Sequence, residues 1–301
     1  MISIVIPTYK NRALLASNLK KNVKYFGKNE VIIVNDDPRT SIKSDLNDLK
    51  DIILIENGQN LGFAGAVNRG VRAATYDYVM ILNSDVVLQD DSYEKTVQNF
   101  QRNKKLFAVS FAQIEKDGTT VGRNAISWKH GFVQHSGVPE IKSTINAWAE
   151  GGSMIVDKTK FDRLHGFSTL YYPFYWEDVD LSYRAWKAGY EVLFDPHIEV
   201  IHHHESTIGK YFEKDRVSTI AYRNQFIFMW KNITDTALFS SHLASLPKRV
   251  LGALVRADIQ FLGGFAGAFI KIPGILKQRK ENRRLTVMKD REVFALFNET
   301  T

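Results

Sequence analysis

Cysteine is absent from the 301 residues of the chain. Its absence excludes disulfide bonds, thiolate-bound metal ions and a cysteine nucleophile, and it agrees with the reducing cytoplasm in which we expect the protein to work. The apolar segment Met1–Tyr9 has neither the basic stretch nor the small-residue cleavage site of a signal peptide. We therefore interpret this segment as part of the fold.

Acidic residues are scarce near the end of the chain. Between Leu246 and Arg291, eleven Lys or Arg residues stand against three Asp or Glu, and this surplus of eight exceeds the net charge of +7 of the whole chain. The remainder is close to neutral, so the basicity concerns the partner of this one segment. With 44% hydrophobic and 12% aromatic residues, the chain has the composition of an ordered globular protein.

Short apolar, β-branched runs alternate with amphipathic segments in the first third of the chain. The runs predict buried parallel strands and the segments between them predict helices, which is half of a doubly wound α/β sheet. The predicted strands are Met1–Pro7, Glu30–Asn35, Asp51–Glu56 and Tyr78–Leu82, and the predicted helices are Ala13–Tyr25 and Phe63–Thr75. A ligand of such a sheet binds at the carboxyl ends of its strands.

The pattern is less regular farther on. Lys116–Lys142 is polar with weak periodicity, so we expect irregular loops there. The other predicted elements are helices at Tyr93–Asn103, Lys158–Leu164 and Asp178–Ala188, and strands at Phe107–Phe111, Gly151–Asp157, Tyr190–Phe194 and Glu199–His202. We expect one domain over residues 1–210, in two halves that divide at about residue 110, and a helical region over residues 211–301.

Polar residues follow three of the predicted strands, at positions that meet on one edge of the sheet. They are Thr8 and Tyr9, Asn35–Asp37, and Asn83–Asp85. A carboxylate such as Asp36 can accept the N3 proton of a uracil or thymine base, and an acid past the later strand can hold Mg²⁺ or Mn²⁺ between two phosphates. Each of these residues alone is more typical of an Asx-turn or a helix cap, and only their order and spacing together favour a site.

At this point the chain resembles the family 2 inverting glycosyltransferases of the GT-A fold, from Ile2 to about Phe228. The resemblance implies a Rossmann-like, mostly parallel central sheet flanked by helices. One position departs from the family pattern, because the metal motif Asp-x-Asp begins here with Asn83 and keeps only Asp85. The residues that carry the resemblance are Pro7–Tyr9, Val34–Asp37, Asn60–Gly70, Asn83–Asp85, Gly151–Ser153 and Trp176–Leu181.

The resemblance also implies a catalytic domain with a nucleotide-sugar half over about residues 1–110, which contains the donor site, and an acceptor half over about residues 111–210. Asn60–Gly70 is similar to the loop of the rhamnosyl- and galactofuranosyl-transferring branches, in which the second Asn points towards the donor, although Asn60 can also be a plain helix cap. Our best estimate of the donor is L-rhamnose linked to thymidine diphosphate. The residues expected to bind the nucleotide sugar are Thr8, Tyr9, Arg12, Asp36, Asn60, Gly65, Asn68, Asn83, Ser84 and Asp85.

The same resemblance assigns the chemistry. Inverting transfer needs one carboxylate to deprotonate the acceptor hydroxyl, and by resemblance Asp178 is that base, with Glu177 orienting it or binding the acceptor. An acidic cap favoured by the helix dipole is the alternative. The metal ligands are expected to be Asp85 and His202, with His203 and His204 as alternatives for the histidine. The acceptor is expected to contact Gly152, Trp176 and Arg223.

The apolar run Ile259–Ile270 is too short to span a bilayer, which needs about 20 residues. Its basic flanks indicate an interfacial helix pair on anionic lipid, on the inner face of the cell membrane, or else a helical appendage that packs on the domain or on a second subunit. The acceptor is then a cell-surface glycan or a lipid-linked sugar.

Two other functions compete with glycosyl transfer. A nucleotidyltransferase needs a glycine-rich first loop, and Pro7–Arg12 has no glycine. A catalytically silent glycan-binding homologue is disfavoured by the intact acids. We expect no nucleic acid partner, because the basic segment lacks interleaved aromatics and a reading motif.

Overall fold

The fold is given by a computed structural model that describes residues 1–47, 51–202 and 211–297. The strands are β1 Ser3–Thr8, β2 Glu30–Asn35, β3 Ile52–Glu56, β4 Tyr78–Leu82, β5 Val86–Leu88, β6 Leu106–Ile114, β7 Thr120–Val121, β8 Asn124–Lys129, β9 Phe132–Gly137, β10 Thr144–Ile145, β11 Ser153–Asp157 and β12 Glu191–His202. The centre of the fold is a twisted mixed sheet with the strand order β10-β12-β6-β11-β4-β1-β2-β3, while β5 pairs with β12 and β7 with β6.

Helices cover both faces of the sheet and continue beyond it at the carboxyl end of the chain. They are α1 Arg12–Asn22, α2 Gly62–Ala73, α3 Thr96–Arg102, α4 Lys158–Arg163, α5 Glu177–Lys187, α6 Lys214–Asn232, α7 Thr236–Val255, α8 Ile259–Ile270, α9 Ile272–Arg283 and α10 Asp290–Ala295. The predicted α/β class with carboxyl-terminal helices is confirmed. The division into a domain to residue 210 and a region beyond it stays a prediction.

The alternation of side chains along β1 explains why its residues are all buried. Ile4 and Ile6 pack into one apolar core, which also contains Leu15 of α1, and Val5 packs into the core on the opposite face. Helix α2 lies close to that second face, since a Cβ on Gly70 would lie 2.3 Å from Cγ1 of Val5. The sheet is therefore apolar on both sides, as expected of a parallel strand covered by helices.

The parallel order changes at β11. Strands β3, β2, β1 and β4 pair in parallel, whereas β11 runs antiparallel to both of its neighbours, β4 and β6. Beyond it, β12 is parallel to β6. The carboxyl ends of β1, β2 and β4 thus open on one edge, and the amino end of β11 comes back to the same edge.

Our prediction of irregular loops over Lys116–Lys142 was wrong, because the segment contains β7, the hairpin β8–β9 and the start of the connection to β10. The two hairpin strands are joined by His130 and Gly131, which have φ values of +52° and +78°. Two consecutive left-handed residues form the tight turn whose twist suits a hairpin. The His-Gly pair was the signal in the sequence that could have predicted this turn.

The two short strands predicted at Tyr190–Phe194 and Glu199–His202 form the single strand β12. Its register against β6 shifts between Asp195 and Glu199, around Pro196. Proline has no backbone N–H to donate to the ladder, so the strand continues through an irregularity there.

Buried ion pairs join the carboxyl-terminal helices to α5. Asp180 is fully buried and accepts hydrogen bonds from Lys231 Nζ and Asn232 Nδ2 of α6 at 2.6 and 2.7 Å. Asp290 at the start of α10 accepts from Tyr183 and Lys187 of α5, both at 2.6 Å. Because α5 begins with the two predicted catalytic acids, these contacts tie their helix to the carboxyl-terminal helices.

In the described ranges, none of the helices alone has the length and apolar character to cross a membrane. Helices α8 and α9, bent by 67° at their junction, satisfy that criterion only when taken as a pair.

Candidate active site

A cleft of about 330 Å³ opens at the carboxyl ends of β1, β2 and β4. The loop that precedes α5 forms its opposite wall. Most of the predicted site residues line it: Thr8, Tyr9, Asp36, Asn60, Asn83, Ser84, Asp85, Gly152, Glu177, Asp178 and His202. Its volume lies in the range of small-molecule sites.

Asp36 forms the inner end of the cleft beyond β2. The side chain is buried, and its Oδ1 accepts hydrogen bonds from Asn57 Nδ2 at 2.7 Å and from the backbone N–H of Leu61 at 2.9 Å. Burial raises the pKa of this carboxyl, and the hydrogen bonds from Leu61 and Asn57 oppose the rise. These donors hold the carboxylate in a fixed orientation in the wall of the cleft.

Asp85 and His202 are brought together by strand pairing. His202 ends β12 opposite Val86 of β5, and its Nε2 lies 3.4 Å from Oδ1 of Asp85. On the other side of the ring, His202 Nδ1 and Oε1 of the buried Gln113 are 2.5 Å apart. A neutral imidazole that donates its Nδ1 proton to Gln113 presents the Nε2 lone pair towards Asp85.

This pair fits a divalent cation. Two ligands at right angles on an ion such as Mg²⁺ are about 3 Å apart, close to the observed separation. Among the described residues, no group of three or more His, Asp or Glu side chains that could hold a metal ion is present. Asp85 and His202 would thus supply two protein ligands to a bound divalent cation.

Asn83 and Gly152 fix the edge of the cleft between β4 and β11. The N–H of Asn83 donates to the carbonyl of Gly152 at 2.8 Å, and a Cβ on Gly152 would lie 2.6 Å from Nδ2 of Asn83. Only glycine leaves room for the Asn83 amide at this point. The departure from the Asp-x-Asp pattern therefore places a neutral amide, packed on backbone, where a second carboxylate is usual.

The acids Glu177 and Asp178 open helix α5 after two residues in the left-handed region. Tyr175 and Trp176 have φ values of +70° and +76°, a conformation that costs about 1–2 kcal/mol for each residue with a side chain. Such a conformation persists only where neighbouring contacts enforce it.

Asn224 of α6 makes those contacts. It is fully buried, and its Nδ2 donates to the carbonyl oxygens of Tyr171, Phe174 and Tyr175 at 3.2, 2.8 and 2.9 Å. The pair Arg223-Asn224 resembles the part of the family helix that covers the acceptor side, but only Arg223 was predicted to be a site residue. Its position explains how a strained turn can present two acids to the cleft.

The two acids differ in their hydrogen bonds. Asp178 accepts from the N–H of Val179 at 2.8 Å and from the N–H of Gly151 at 3.2 Å. Oε2 of Glu177 is buried without a hydrogen-bond partner among the described residues. Burial raises the pKa of both carboxyls. The negative charge of Asp178 raises the pKa of Glu177 further. The hydrogen bonds from Val179 and Gly151 oppose the rise in the pKa of Asp178. The hydrogen bonds to its carboxylate thus favour ionisation of Asp178 over that of Glu177.

Glu150 is a third acid in the cleft wall that the sequence analysis missed. Its Oε1 accepts from Asn124 Nδ2 of the β8–β9 hairpin at 2.7 Å, and burial, with the nearby Asp178 carboxylate, raises its pKa to about 7. The signal was its position directly before Gly151 and Gly152. It was overlooked because the hairpin that supports it was not predicted.

Three predicted donor contacts, Arg12, Gly65 and Asn68, do not line the cleft. The Arg12 guanidinium forms an ion pair with Asp45 and a hydrogen bond of 3.1 Å with Ser44. Both polar atoms of the Asn68 amide bind the backbone of Phe167, with Nδ2 donating to its carbonyl at 2.8 Å and Oδ1 accepting from its N–H at 2.9 Å. This differs from the predicted orientation towards the donor, because the amide holds the segment after α4 instead.

Gly65 and Asn60 have local roles in the start of α2. A Cβ on Gly65 would lie 2.5 Å from Cβ of Leu61, so its lack of a side chain serves packing within this turn rather than approach to a ligand. Asn60 lines the cleft, but its Oδ1 also accepts from the N–H of Gly62 at 2.8 Å. This hydrogen bond forms the cap-like turn that was the alternative prediction for Asn60.

The predicted acceptor contacts Trp176 and Arg223 also lie outside the cleft lining. The Trp176 side chain is buried, with ring centroids 4.9 Å from His135 and 5.1 Å from Phe228. Arg223 donates to the carbonyl of Tyr172 and to Asn224. Both support the loop before α5, so any contact with an acceptor stays a prediction. His203 and His204 lie outside the described residues.

A family model for glycosyl transferase family 2 matches residues 3–156. The chain belongs to this family. A second model, for the N-terminal domain of galactosyltransferase, matches residues 134–211 and so overlaps the end of the first match. The prediction of a family 2 glycosyltransferase is thereby confirmed. The assignment to the rhamnosyl-transferring branch stays a prediction.

Curated relatives of this family 2 chain include two staphylococcal poly-beta-1,6-N-acetyl-D-glucosamine synthases. The protein of Staphylococcus epidermidis is 30% identical over 211 residues, which is 65% of this chain and 48% of the relative. The protein of Staphylococcus aureus strain COL is 34% identical over 88 residues, which is 28% of this chain and 21% of the relative. The chain thus spans half or less of the length of these relatives.

Two solved structures share the fold. GalNAc-T7 with UDP, GalNAc and Mn²⁺ has a TM-score of 0.60 at 15% identity, over 78% of this chain and 48% of that one. The mannosyltransferase of Pyrobaculum calidifontis with GDP-Man and Mn²⁺ has a TM-score of 0.53 at 15% identity, over 99% and 86%. At this identity, the likeness supports the GT-A-like fold alone.

Proposed function

We propose that this protein transfers a sugar from a nucleoside diphosphate donor to an acceptor hydroxyl with inversion, using one divalent cation. The observation that carries the proposal is the joint presence in one cleft of Asp36, the Asp85–His202 pair and the adjacent acids Glu177 and Asp178. A nucleotide, a cation and a proton acceptor are the three things that such a transfer requires.

The donor end of the cleft suits a nucleobase. The fixed Asp36 carboxylate can accept the N3 proton of uracil or thymine, and Oγ1 of Thr8 is buried with no hydrogen-bond partner among the described residues. An unpaired buried hydroxyl is costly, so a donor group that binds it gains affinity. Both side chains lie at the ends of neighbouring parallel strands, paired at Thr8 and Asn35.

Asp85 and His202 would hold the cation, with Gln113 fixing the imidazole. When bound there, Mg²⁺ or Mn²⁺ neutralises the charge of the leaving diphosphate. The solved structures that share the fold contain Mn²⁺. Asn83 and Ser84 line the cleft beside Asp85, within the same turn after β4.

Asp178 would take the proton of the acceptor hydroxyl as that oxygen attacks the anomeric carbon. The new glycosidic bond forms while the bond to the diphosphate breaks on the opposite face, so a single base suffices. The N–H groups of Val179 and Gly151 favour the ionised form of Asp178, and Oε2 of Glu177, which is buried without a hydrogen-bond partner among the described residues, can bind an acceptor hydroxyl.

For the donor, we propose L-rhamnose from its thymidine diphosphate, because of the resemblance of Asn60–Gly70 to the rhamnosyl-transferring branch. The acceptor would be a hydroxyl of a cell-surface glycan or a lipid-linked sugar. The staphylococcal relatives are named for N-acetylglucosamine, which makes UDP-N-acetylglucosamine the second donor to test.

The test is a panel of nucleotide sugars incubated with the protein and Mn²⁺ or Mg²⁺, with released nucleoside diphosphate as the readout. We expect one donor to be consumed well above the others, and consumption to stop with EDTA. Release from none of the donors, in the presence of simple sugar and lipid-linked acceptors, would contradict a transferase function. Release of pyrophosphate instead would indicate nucleotidyl transfer.

A further inference from the structure

An apolar stripe runs along the outer face of α8, on the side away from the protein. Ile259 and Ile270, at its two ends, are 72% and 82% exposed, and Gly263 and Ala266 between them are exposed as well. These four residues recur at intervals of three and four, so they share one face of the helix. We call them the outer apolar stripe.

The inner face of the same helix is firmly packed. Phe261, Gly264 and Ala268 are buried, and a Cβ on Gly264 would lie 2.6 Å from Cβ of Tyr222 on α6. Helix α8 is thus held against the body of the protein by small residues. Its apolar outer face is therefore not explained by packing within the chain, since Gln260 is the only polar residue of the helix.

The exposed apolar surface continues into the end of α7. Leu251, Leu254 and Val255 are 63%, 58% and 80% exposed, directly before the turn that leads to Ile259. Single exposed apolar residues are ordinary, but a continuous exposed apolar surface marks a site of interaction.

A basic stripe follows on α9. Lys277, Lys280, Arg283 and Arg284 are all exposed and lie at helical intervals on one face, from the residue after the 58%-exposed Leu276 to the residue that follows the helix. We call these four residues the outer basic stripe. Lys271 stands at the bent junction between the two helices.

From these two stripes we infer that α8 and α9 dock the protein on an anionic lipid surface. The 12 residues of α8 make a helix about 18 Å long, which suits a position parallel to the membrane plane rather than across about 30 Å of hydrocarbon. The outer apolar stripe enters the boundary between headgroups and acyl chains, and the outer basic stripe contacts anionic headgroups. The charge of the second stripe favours a lipid surface over another apolar protein face. This inference does not depend on the proposed sugar transfer, because docking needs neither donor nor acceptor.

The test is flotation of the full chain with vesicles of phosphatidylcholine alone and of phosphatidylcholine with phosphatidylglycerol, at low and high ionic strength. We expect binding to the anionic vesicles only, and weakening by salt because the attraction is screened. Changing Lys277, Lys280, Arg283 and Arg284 to Gln should lower the partition coefficient roughly a hundredfold or more. The matched control changes Lys20, Lys21, Lys24 and Lys28, which are exposed around α1, to Gln and alters the net charge equally. It should bind like the unchanged protein.

A second variant, Ile259→Gln with Ile270→Gln, tests the apolar stripe without a change of charge. It should also lose vesicle binding, and an unchanged circular dichroism spectrum and melting temperature would show that it is folded. Equal loss in the α1 control, or no flotation on anionic vesicles, overturns the inference. So does a homogeneous oligomer in sedimentation that Ile259→Gln with Ile270→Gln dissociates, since the stripe would then be a contact between copies.

Discussion

At the scale of single residues, environment decides what two adjacent acids can do. Glu177 and Asp178 are neighbours in sequence, yet Asp178 accepts hydrogen bonds from the N–H groups of Val179 and Gly151, whereas Oε2 of Glu177 is buried with no partner among the described residues. Charge is stabilised where N–H groups point at it, so the roles of the pair follow from the backbone around them.

Replacing Asp178 by Asn should abolish transfer and leave donor binding nearly intact. The amide has the same shape but cannot take a proton from the acceptor, and a general base contributes about 10²–10⁴-fold. Turnover and the donor dissociation constant, measured separately, check this. If Asp178→Asn keeps near wild-type turnover while Glu177→Gln does not, the base is Glu177.

Nucleoside diphosphate binding should depend on a divalent cation and on Asp85. Calorimetry with Mn²⁺ should show affinity about tenfold or more lower in Asp85→Ala, and a similar loss for the unchanged protein in EDTA, because Asp85 would hold the ion that neutralises the charge of the phosphates. Asp37→Ala is a matched control, since Asp37 also follows a strand but does not line the cleft. Equal affinities with and without the ion would remove Asp85 from the metal site.

Asn224→Asp should lower kcat by roughly tenfold to a hundredfold while the donor dissociation constant stays constant. A carboxylate in place of the amide would face three carbonyl oxygens, and the loop that presents Asp178 would shift. Asn224 is a positioning residue, because it acts through that loop.

The control for general loosening of α6 is Ile220→Val, at a buried position of the same helix. This change should cost about 0.5–1.5 kcal/mol of stability and leave kcat unchanged. Equal falls in kcat for both variants would assign Asn224 a purely structural role.

At the scale of elements, the hydrophobic pattern of the sequence predicted the regular strands and helices. Strand β4 and helix α8 begin and end where the sequence placed them, at Tyr78–Leu82 and Ile259–Ile270. Buried apolar runs and caps are local signals, so single-sequence patterns suffice for such elements.

The hairpin β8–β9 was missed because much of it is polar. Its second strand ends in Gln134–Gly137, all exposed, which hides the alternation of a half-buried strand. The fate of Asn68 was equally out of reach, since its partner Phe167 is 99 residues away. Contacts between distant elements decide such cases, and one sequence does not encode them as a local pattern.

Helix α10 should be attached to α5 by a pH-dependent contact. Lys187, Tyr183 and backbone donors around Asp290 outweigh the effect of its burial and lower the pKa of this carboxyl below its ordinary value of 3.8. A carboxyl with a lowered folded-state pKa adds stability above its unfolded pKa, and this stability is lost as pH falls through the folded value.

Asp290→Asn should therefore cost about 3–5 kcal/mol at pH 7, and the difference from the unchanged protein should shrink below about pH 4. Urea unfolding at the two pH values checks this. Asp162→Asn, which breaks the exposed pair with Lys158, is the control and should cost no more than about 1 kcal/mol. A difference for Asp290→Asn that is independent of pH would show that the lost contacts are not those of a carboxylate.

At the scale of the whole molecule, the carboxyl-terminal helices connect the acids with a surface. Asn224 of α6 holds the loop before α5 through hydrogen bonds to its backbone. Helix α8 packs on α6, and the outer face of α8 is apolar and exposed. A protein docked on lipid through α8 and α9 would meet a lipid-linked acceptor at the surface that holds it.

The most direct test is the stereochemistry of the product. With the donor that the nucleotide-sugar panel identifies, NMR of the purified product should show the anomeric configuration opposite to that of the donor. A single displacement with Asp178 as the base gives this inversion and needs no covalent intermediate. A product with the configuration of the donor retained would contradict the single displacement and the role proposed for Asp178.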